Sequence, residues 1–146
     1  MSKNHVLLAF LCSFCFTLSV SADYIDGQRA YASGDYEGAI LEWTKVAQDG
    51  NARAQYNLGW MHANGRGIAQ DFQEAIKWYT KSAEQGNVNA QYNLGNLYLR
   101  GQGATQNDNL AFSWFIKAAE QGDAPAQYNL GRMYLLGKGG DKNFLE

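Results

Sequence analysis

Three features of this sequence predict an all-α fold, a right-handed α-α superhelix (solenoid) of stacked helix-turn-helix repeats. The hexapeptide Ala-Gln-Tyr-Asn-Leu-Gly occurs three times, beginning at Ala54, Ala90 and Ala126, at a constant spacing of 36 residues. Residues 51–86 laid over residues 87–122 agree at 17 of 36 positions, including both loop glycines, a tryptophan and the closing Glu-Gln-Gly. No strand-like alternation or long linker interrupts the register, and the single proline, Pro125, falls in the first turn of a helix, where a missing N–H does little harm. A fixed period of about 20 to 50 residues marks a solenoid, in which each unit buries its apolar face only by stacking on its neighbours. Function in such a chain is expected on a repeated surface rather than in one enclosed pocket.

Residues 1–22 read as a signal peptide. Lys3 lies in the short polar start, Val6 to Leu18 is almost continuously apolar, and Val20-Ser21-Ala22 ends in small residues, so cleavage is expected between Ala22 and Asp23. The alternative is a membrane anchor, but the apolar run is well short of the roughly 20 residues that span a bilayer. No stable membrane insertion is therefore expected after cleavage, and the mature chain is expected to be exported, periplasmic or secreted. Both cysteines, Cys12 and Cys15, lie inside the leader, which leaves the mature part without a thiol, a disulfide or a cysteine metal site.

Residues 23–50 form a variant first unit, with Asp23 to Ser33 as its first helix and Gly34-Asp35 as its turn. Tyr36, Ala39, Ile40, Trp43 and Ala47 make the apolar stripe of its second helix. Residues 51–86 and 87–122 are full units. In the first of these a helix from about Ala52 to Ala63 follows Gly50-Asn51, where Gly ends the preceding helix and Asn caps the next. The second helix opens at Asp71, and Glu74 three residues on completes a capping-box-like pair. Phe72, Ala75, Ile76, Tyr79 and Ala83 then fall on one face as a buried stripe. The turn Gly65-Arg66-Gly67 returns as Gly101-Gln102-Gly103 and Gly137-Lys138-Gly139.

Residues 123–146 make an incomplete third unit, since Asn143-Phe144-Leu145-Glu146 aligns with Asp71-Phe72-Gln73-Glu74 and the tryptophan position is not reached. Leu130, Met133 and Tyr134 are expected to have too little cover. The chain is then either a truncated remnant of a longer repeat protein or one whose missing layer comes from a partner or a second copy, by self-association through this unit.

The pattern Ala-x-x-x-Leu-Gly-x-x-Tyr, a Gly-x-Gly loop and Ala-x-x-Trp-x-x-x-Ala-Ala-x-x-Gly resembles the Sel1-like repeat, a relative of the tetratricopeptide repeat, in an exported bacterial form. It reads here as Ala90, Leu94, Gly95, Tyr98, Gly101, Gly103, Ala111, Trp114, Ala118, Ala119 and Gly122. His62 stands at the tyrosine position and Ser82 at the first alanine of the pair. The variant first unit, with Tyr31, Gly34-Asp35-Tyr36 and Ala39-Ile40, is more similar to an ordinary tetratricopeptide repeat.

Little in the chain points to chemistry. The formal net charge is −2 on a mixed surface, which gives no electrostatic reason to expect nucleic acid or anionic membrane. His62, the one histidine outside the leader, has no second His or Cys with which to build a zinc site and is expected to be a core or half-buried substitute for tyrosine. Asp71 and Glu74 are explained by capping. The Gly-x-Gly loops lack the Gly-Lys-Ser/Thr ending of a phosphate loop. No cofactor, metal or catalytic residue is expected. The resemblance brings one enzyme alternative, the penicillin-binding or β-lactamase-like activity described for certain cysteine-rich exported Sel1-like proteins, but this chain lacks their helix-bridging cysteine pairs and any Ser-x-x-Lys or Lys-Thr-Gly signature in its mature part.

What the resemblance does imply is a protein or peptide partner on the inner, concave face, formed by the first helix of each unit. By position that face contains Arg53, Tyr56, Asn57, Trp60 and Asn64, then Asn89, Tyr92, Asn93, Asn96 and Arg100, then Tyr128, Asn129, Arg132 and Leu136. An Asn amide both donates to and accepts from a peptide backbone, and Tyr and Trp offer large contact area at modest entropy cost. The tyrosines and the three hexapeptide asparagines have an alternative role in packing between repeats. The positions that vary between units (Arg53, Trp60, Asn64, Asn96, Arg100 and Arg132) are therefore the better contact candidates.

Overall fold

The computed structural model describes residues 24–140, so the leader, the Ala22/Asp23 junction and the stretch 143–146 lie outside the described residues. Among the described residues there are seven α-helices and no strand: α1 (24–33), α2 (Tyr36–Gln48), α3 (Ala52–Asn64), α4 (Phe72–Glu84), α5 (Val88–Arg100), α6 (Asp108–Glu120) and α7 (Ala124–Leu135). Each helix packs on the next in chain order, giving an all-α superhelix of helix-turn-helix units.

The helix starts are set by side-chain caps. Asn51, Asn87 and Asp123 accept the N–H of Ala54, Ala90 and Ala126 at 2.9, 3.0 and 2.7 Å, so each hexapeptide begins on a capped turn. Asp71 accepts from the N–H groups of Gln73 and Glu74 at 2.8 and 3.0 Å. The Glu74 N–H foremost holds the Asp71 carboxyl below its ordinary value.

The core is a row of three clusters rather than one centre. Ala39, Ala75 and Ala111 on the second helices, and Ala54, Ala90 and Ala126 on the first, are fully buried, and a methyl group is what lets neighbouring helices approach so closely. Leu58 and Leu94 fill the space between, each worth about 1.5–3 kcal/mol of burial. A Cβ on Gly59 would stand 2.6 Å from the Tyr79 ring, and one on Gly95 would stand 2.7 Å from the Phe115 ring, so these glycines are the seats on which the facing aromatic lies.

The hexapeptide glutamine has a role that its polarity concealed. Gln55 and Gln91 are buried, and their amides donate to the carbonyls of Ala47 and Ala83, in the preceding unit, at 2.9 and 3.1 Å. Their own carbonyl oxygens accept from Gln85 and Gln121 at 2.7 and 2.8 Å. The buried amide is thus satisfied on both sides, which is what makes its burial affordable.

The third hexapeptide stands in different surroundings. Gln127 is exposed, donating to Ala119 at 3.3 Å; no heavy atom lies within 4 Å of a Cβ built on Gly131; and Tyr128 is 67% exposed. The expectation of poor cover holds for Tyr134 but fails for Met133, which is buried in the last cluster because it faces back onto α6, while Leu130 is half-buried there. Leu135, which ends α7, and Leu136, its C-cap, are strongly exposed as well.

Candidate functional site

Three grooves follow one another between the first helices. The groove between α1 and α3, about 330 Å³, is lined by Tyr24, Gln28, Tyr31, Trp43, Tyr56, Asn57 and Trp60. The next, about 530 Å³ between α3 and α5, is lined by Tyr56, Trp60, Asn64, Tyr92, Asn93, Asn96 and Arg100 with Ala63, Gln70, Phe72, Tyr79, Leu97 and Gln102. The last, about 180 Å³ between α5 and α7, has Leu99, Asn129, Arg132, Met133, Leu136 and Lys138. Eleven of the fourteen residues picked out by position therefore line a groove, and Arg53, Asn89 and Tyr128 do not.

The aromatic walls are packed before any ligand arrives. Tyr56 lies 5.8 Å from the Tyr79 ring and Tyr92 lies 5.9 Å from that of Phe115. Trp60 meets Tyr31 edge-on at 6.2 Å and packs against two of the core clusters. Burial pushes the Tyr79 phenol well up, with Tyr56 adding to it, and burial likewise raises Tyr56. Both hydroxyls stay neutral at ordinary pH and face Asn93, whose amide donates to the Tyr79 oxygen at 3.2 Å.

Asn57 donates to the Tyr24 hydroxyl at 3.4 Å, because Trp43 occupies the place that Tyr79 holds one unit on. At the third copy that place belongs to Phe115, which has no hydroxyl; Asn93 and Asn57 are spent partly on the scaffold, and the Asn129 side chain makes no hydrogen bond among the described residues. Asn64 and Asn96 donate to the carbonyls of Trp60 and Tyr92 on their own helices at 2.8 and 3.1 Å. Their second N–H and their oxygens make no other hydrogen bond among the described residues. Arg100 is exposed on the groove rim, and the Arg132 guanidinium lies 5.9 Å from the Tyr128 ring.

Position along the first helices did not reveal Gln70, Phe72 and Gln102, which come from the loops and the start of α4. A signal was present in the loop. A Cβ on Gly103 would stand 2.5 Å from the Phe72 carbonyl carbon, so the second loop glycine seats its loop on the preceding unit and brings Gln102 to the groove. His62 is half-buried, and its Nδ1 is buried without a hydrogen-bond partner among the described residues. Among those residues no group of three or more His, Cys, Asp or Glu gathers as a metal site, and no helix is long and apolar enough to cross a membrane.

A family model described as the Sel1 repeat matches residues 52–87, 88–123 and 124–146. Among solved structures, the protein is similar to c5321, a protective antigen present in uropathogenic Escherichia coli strains displaying an SLR fold. The two are 36% identical, with a TM-score of 0.80 over 85% of this chain and 27% of the antigen. It is also similar to a Sel1 repeat protein from Oxalobacter formigenes, at 36% identity and a TM-score of 0.78, covering 84% of this chain and 52% of that one. The chain thus spans about a quarter and about half of the length of these two relatives. Helicobacter pylori cysteine rich protein B, 18% identical with a TM-score of 0.67 over 81% of this chain and 93% of its own, shares the fold. No curated protein matches the sequence.

Proposed function

The chain belongs to the Sel1 repeat family, and from that premise we propose that it is a non-enzymatic scaffold or adaptor that holds a peptide or protein partner along the concave face of an exported α-solenoid. Sel1 repeat proteins are generally protein-interaction scaffolds. The observation that carries the reading is the continuity of the grooves. Tyr56 and Trp60 wall the first two at once, so an extended segment leaving one enters the next without a break. The rim offers amides with unspent hydrogen-bonding groups to a backbone, and the walls offer packed aromatic surface to side chains. The penicillin-binding alternative has no support in the side chains of the grooves.

The test is recovery of partners from an envelope extract by the purified chain. Trp60→Leu, Asn96→Ala and Arg100→Ala together are expected to abolish recovery with helical content intact. The pair Asn96→Ala and Arg100→Ala, both clear of the core, separates lost contact from lost fold. Undiminished recovery by the triple variant refutes the concave-face reading. Export, to the periplasm or beyond, rests on the apolar leader, and N-terminal sequencing of the exported product is expected to begin at Asp23.

A second reading, self-association through the last unit, is favoured by the exposure of Tyr128, Leu135 and Leu136 beside the uncovered Gly131 on α7. Sedimentation across a concentration series checks it: a mass that stays at one chain at every concentration refutes it.

A further inference from the structure

The charge on the groove-forming helices is segregated. The chain has 14 acidic and 12 basic residues, yet the side chains lining the three grooves include Arg100, Arg132 and Lys138 and not one Asp or Glu. Helices α3, α5 and α7 contain no carboxylate along their whole length. Among the described residues the acids sit on helix caps and on the second helices, where Glu42 and Glu74 pair with Lys45 and Lys77 of their own helices; the one acid on a first helix, Asp26 of α1, lines no groove and pairs with Arg29 at 2.8 Å. Arg100 and Arg132 form no salt bridge among the described residues, and Lys138 stands 3.8 Å from Asp108.

That positive charge is also placed at one end. The α1/α3 groove carries no charged side chain and is walled by Tyr31, Trp43, Tyr56 and Trp60; charge enters with Arg100, the last residue of α5, in the second groove, and with Arg132 and Lys138 in the last. Building on the concave-face reading, we propose that the occupant is an extended acidic peptide, with an aromatic or aliphatic side chain in the α1/α3 groove and carboxylates at Arg100 and Arg132. Low-dielectric walls lined by one sign of charge focus the potential and draw in the opposite charge. A guanidinium fork takes a carboxylate with two parallel hydrogen bonds, a geometry that an amide does not reproduce. Between the two ends, Asn64 and Asn96 meet the peptide backbone, which makes affinity tolerant of sequence while the ends set the direction of the chain.

The experiment uses the whole protein and two fluorescein-labelled synthetic peptides. One is Gly-Ser-Trp-Leu-Ser-Glu-Asp-Glu-Glu-Ser; the other is its twin with every acid replaced by the corresponding amide. Fluorescence anisotropy is expected to show the acidic peptide bound about tenfold tighter than its twin at low salt, a difference of one decade in Kd. The gap is expected to narrow severalfold by about 0.5 M NaCl, where screening shortens to a few ångströms. Arg100→Gln with Arg132→Gln is expected to bring the acidic peptide down to the level of its twin, whose own binding falls by much less.

Equal binding of the two peptides to the unaltered chain overturns the acidic preference and leaves the peptide-scaffold reading standing. Acidic binding that survives both the arginine pair and Trp60→Leu overturns the grooves as the site, and with them both readings. Failure of the acidic peptide to bind overturns the present proposal alone.

Discussion

Gly95→Ala and Gly131→Ala alter the same glycine of the same hexapeptide, in surroundings that assign them opposite effects. A methyl group at Gly95 would stand 2.7 Å from the Phe115 ring, well inside the 3.4 Å at which ordinary contact begins, and Phe115 is itself fully buried with no free side to move toward. Overpacking of this kind costs about 1–3 kcal/mol. It is offset in part by the gain of about 1 kcal/mol from replacing Gly with Ala inside a helix. At Gly131 only that gain remains, because no heavy atom lies within 4 Å of the new Cβ.

The propensity gain is common to both variants, so the difference between them isolates the steric cost, about 1–3 kcal/mol. In a domain of this size each kcal/mol shifts Tm by roughly 3–6 °C. Thermal melts followed by far-UV circular dichroism are therefore expected to place Gly131→Ala a few degrees above the unaltered chain and Gly95→Ala below Gly131→Ala by at least that much. Equal destabilisation by both would refute the open α7 face, for something would then cover Gly131 in solution. Stabilisation by both would refute the ring-on-glycine seat.

Two further outcomes follow from the interior. Gln91→Leu strips a hydrogen-bond partner from both Ala83 and Gln121 and is expected to cost about 1–3 kcal/mol, whereas Gln127→Leu, at the exposed copy, is expected to stay within about 0.5 kcal/mol; urea denaturation compares them. Tyr79, whose phenol burial raises above its ordinary value of 10.0, contributes stability that is complete below that pH and is lost as pH climbs above it. Urea midpoints at about pH 8 and about pH 11 are expected to fall less for Tyr79→Phe than for the unaltered chain, and an equal fall would refute the buried phenol.

The sequence carried the architecture because a solenoid repeats its local rules. The caps at Asn51, Asn87 and Asp123, the close approach at Gly59 and the core leucine all follow from one period, and the helices form where those rules put them. Gln55 and Gln91 were not legible, since a buried amide is worth keeping only if both its sides are met, and the groups that meet it lie on other helices. The grooves were legible in part. Spacing places a side chain on the face of a helix, but Tyr24, Phe72 and Gln102 reach the grooves through the packing of neighbouring units and the seating of a loop. Which asparagines are spent on the scaffold depended on whether a distant residue is Tyr, Trp or Phe, as at Tyr79, Trp43 and Phe115.

The glutamine pairs bear on how such a chain changes length. Gln85 reaches Gln55, and Gln121 reaches Gln91, across the same interval of 30 residues, shorter than the period, while Gln55 and Gln91 hold the carbonyl 8 residues before them. A tandem duplication in frame with the repeat therefore carries a whole fastener together with the hook that attaches it to whatever precedes it. An insertion out of phase carries neither. Gain or loss of units by recombination leaves every joint intact, and each added unit lengthens the row of grooves by one, so the span of partner that can be held becomes a matter of copy number.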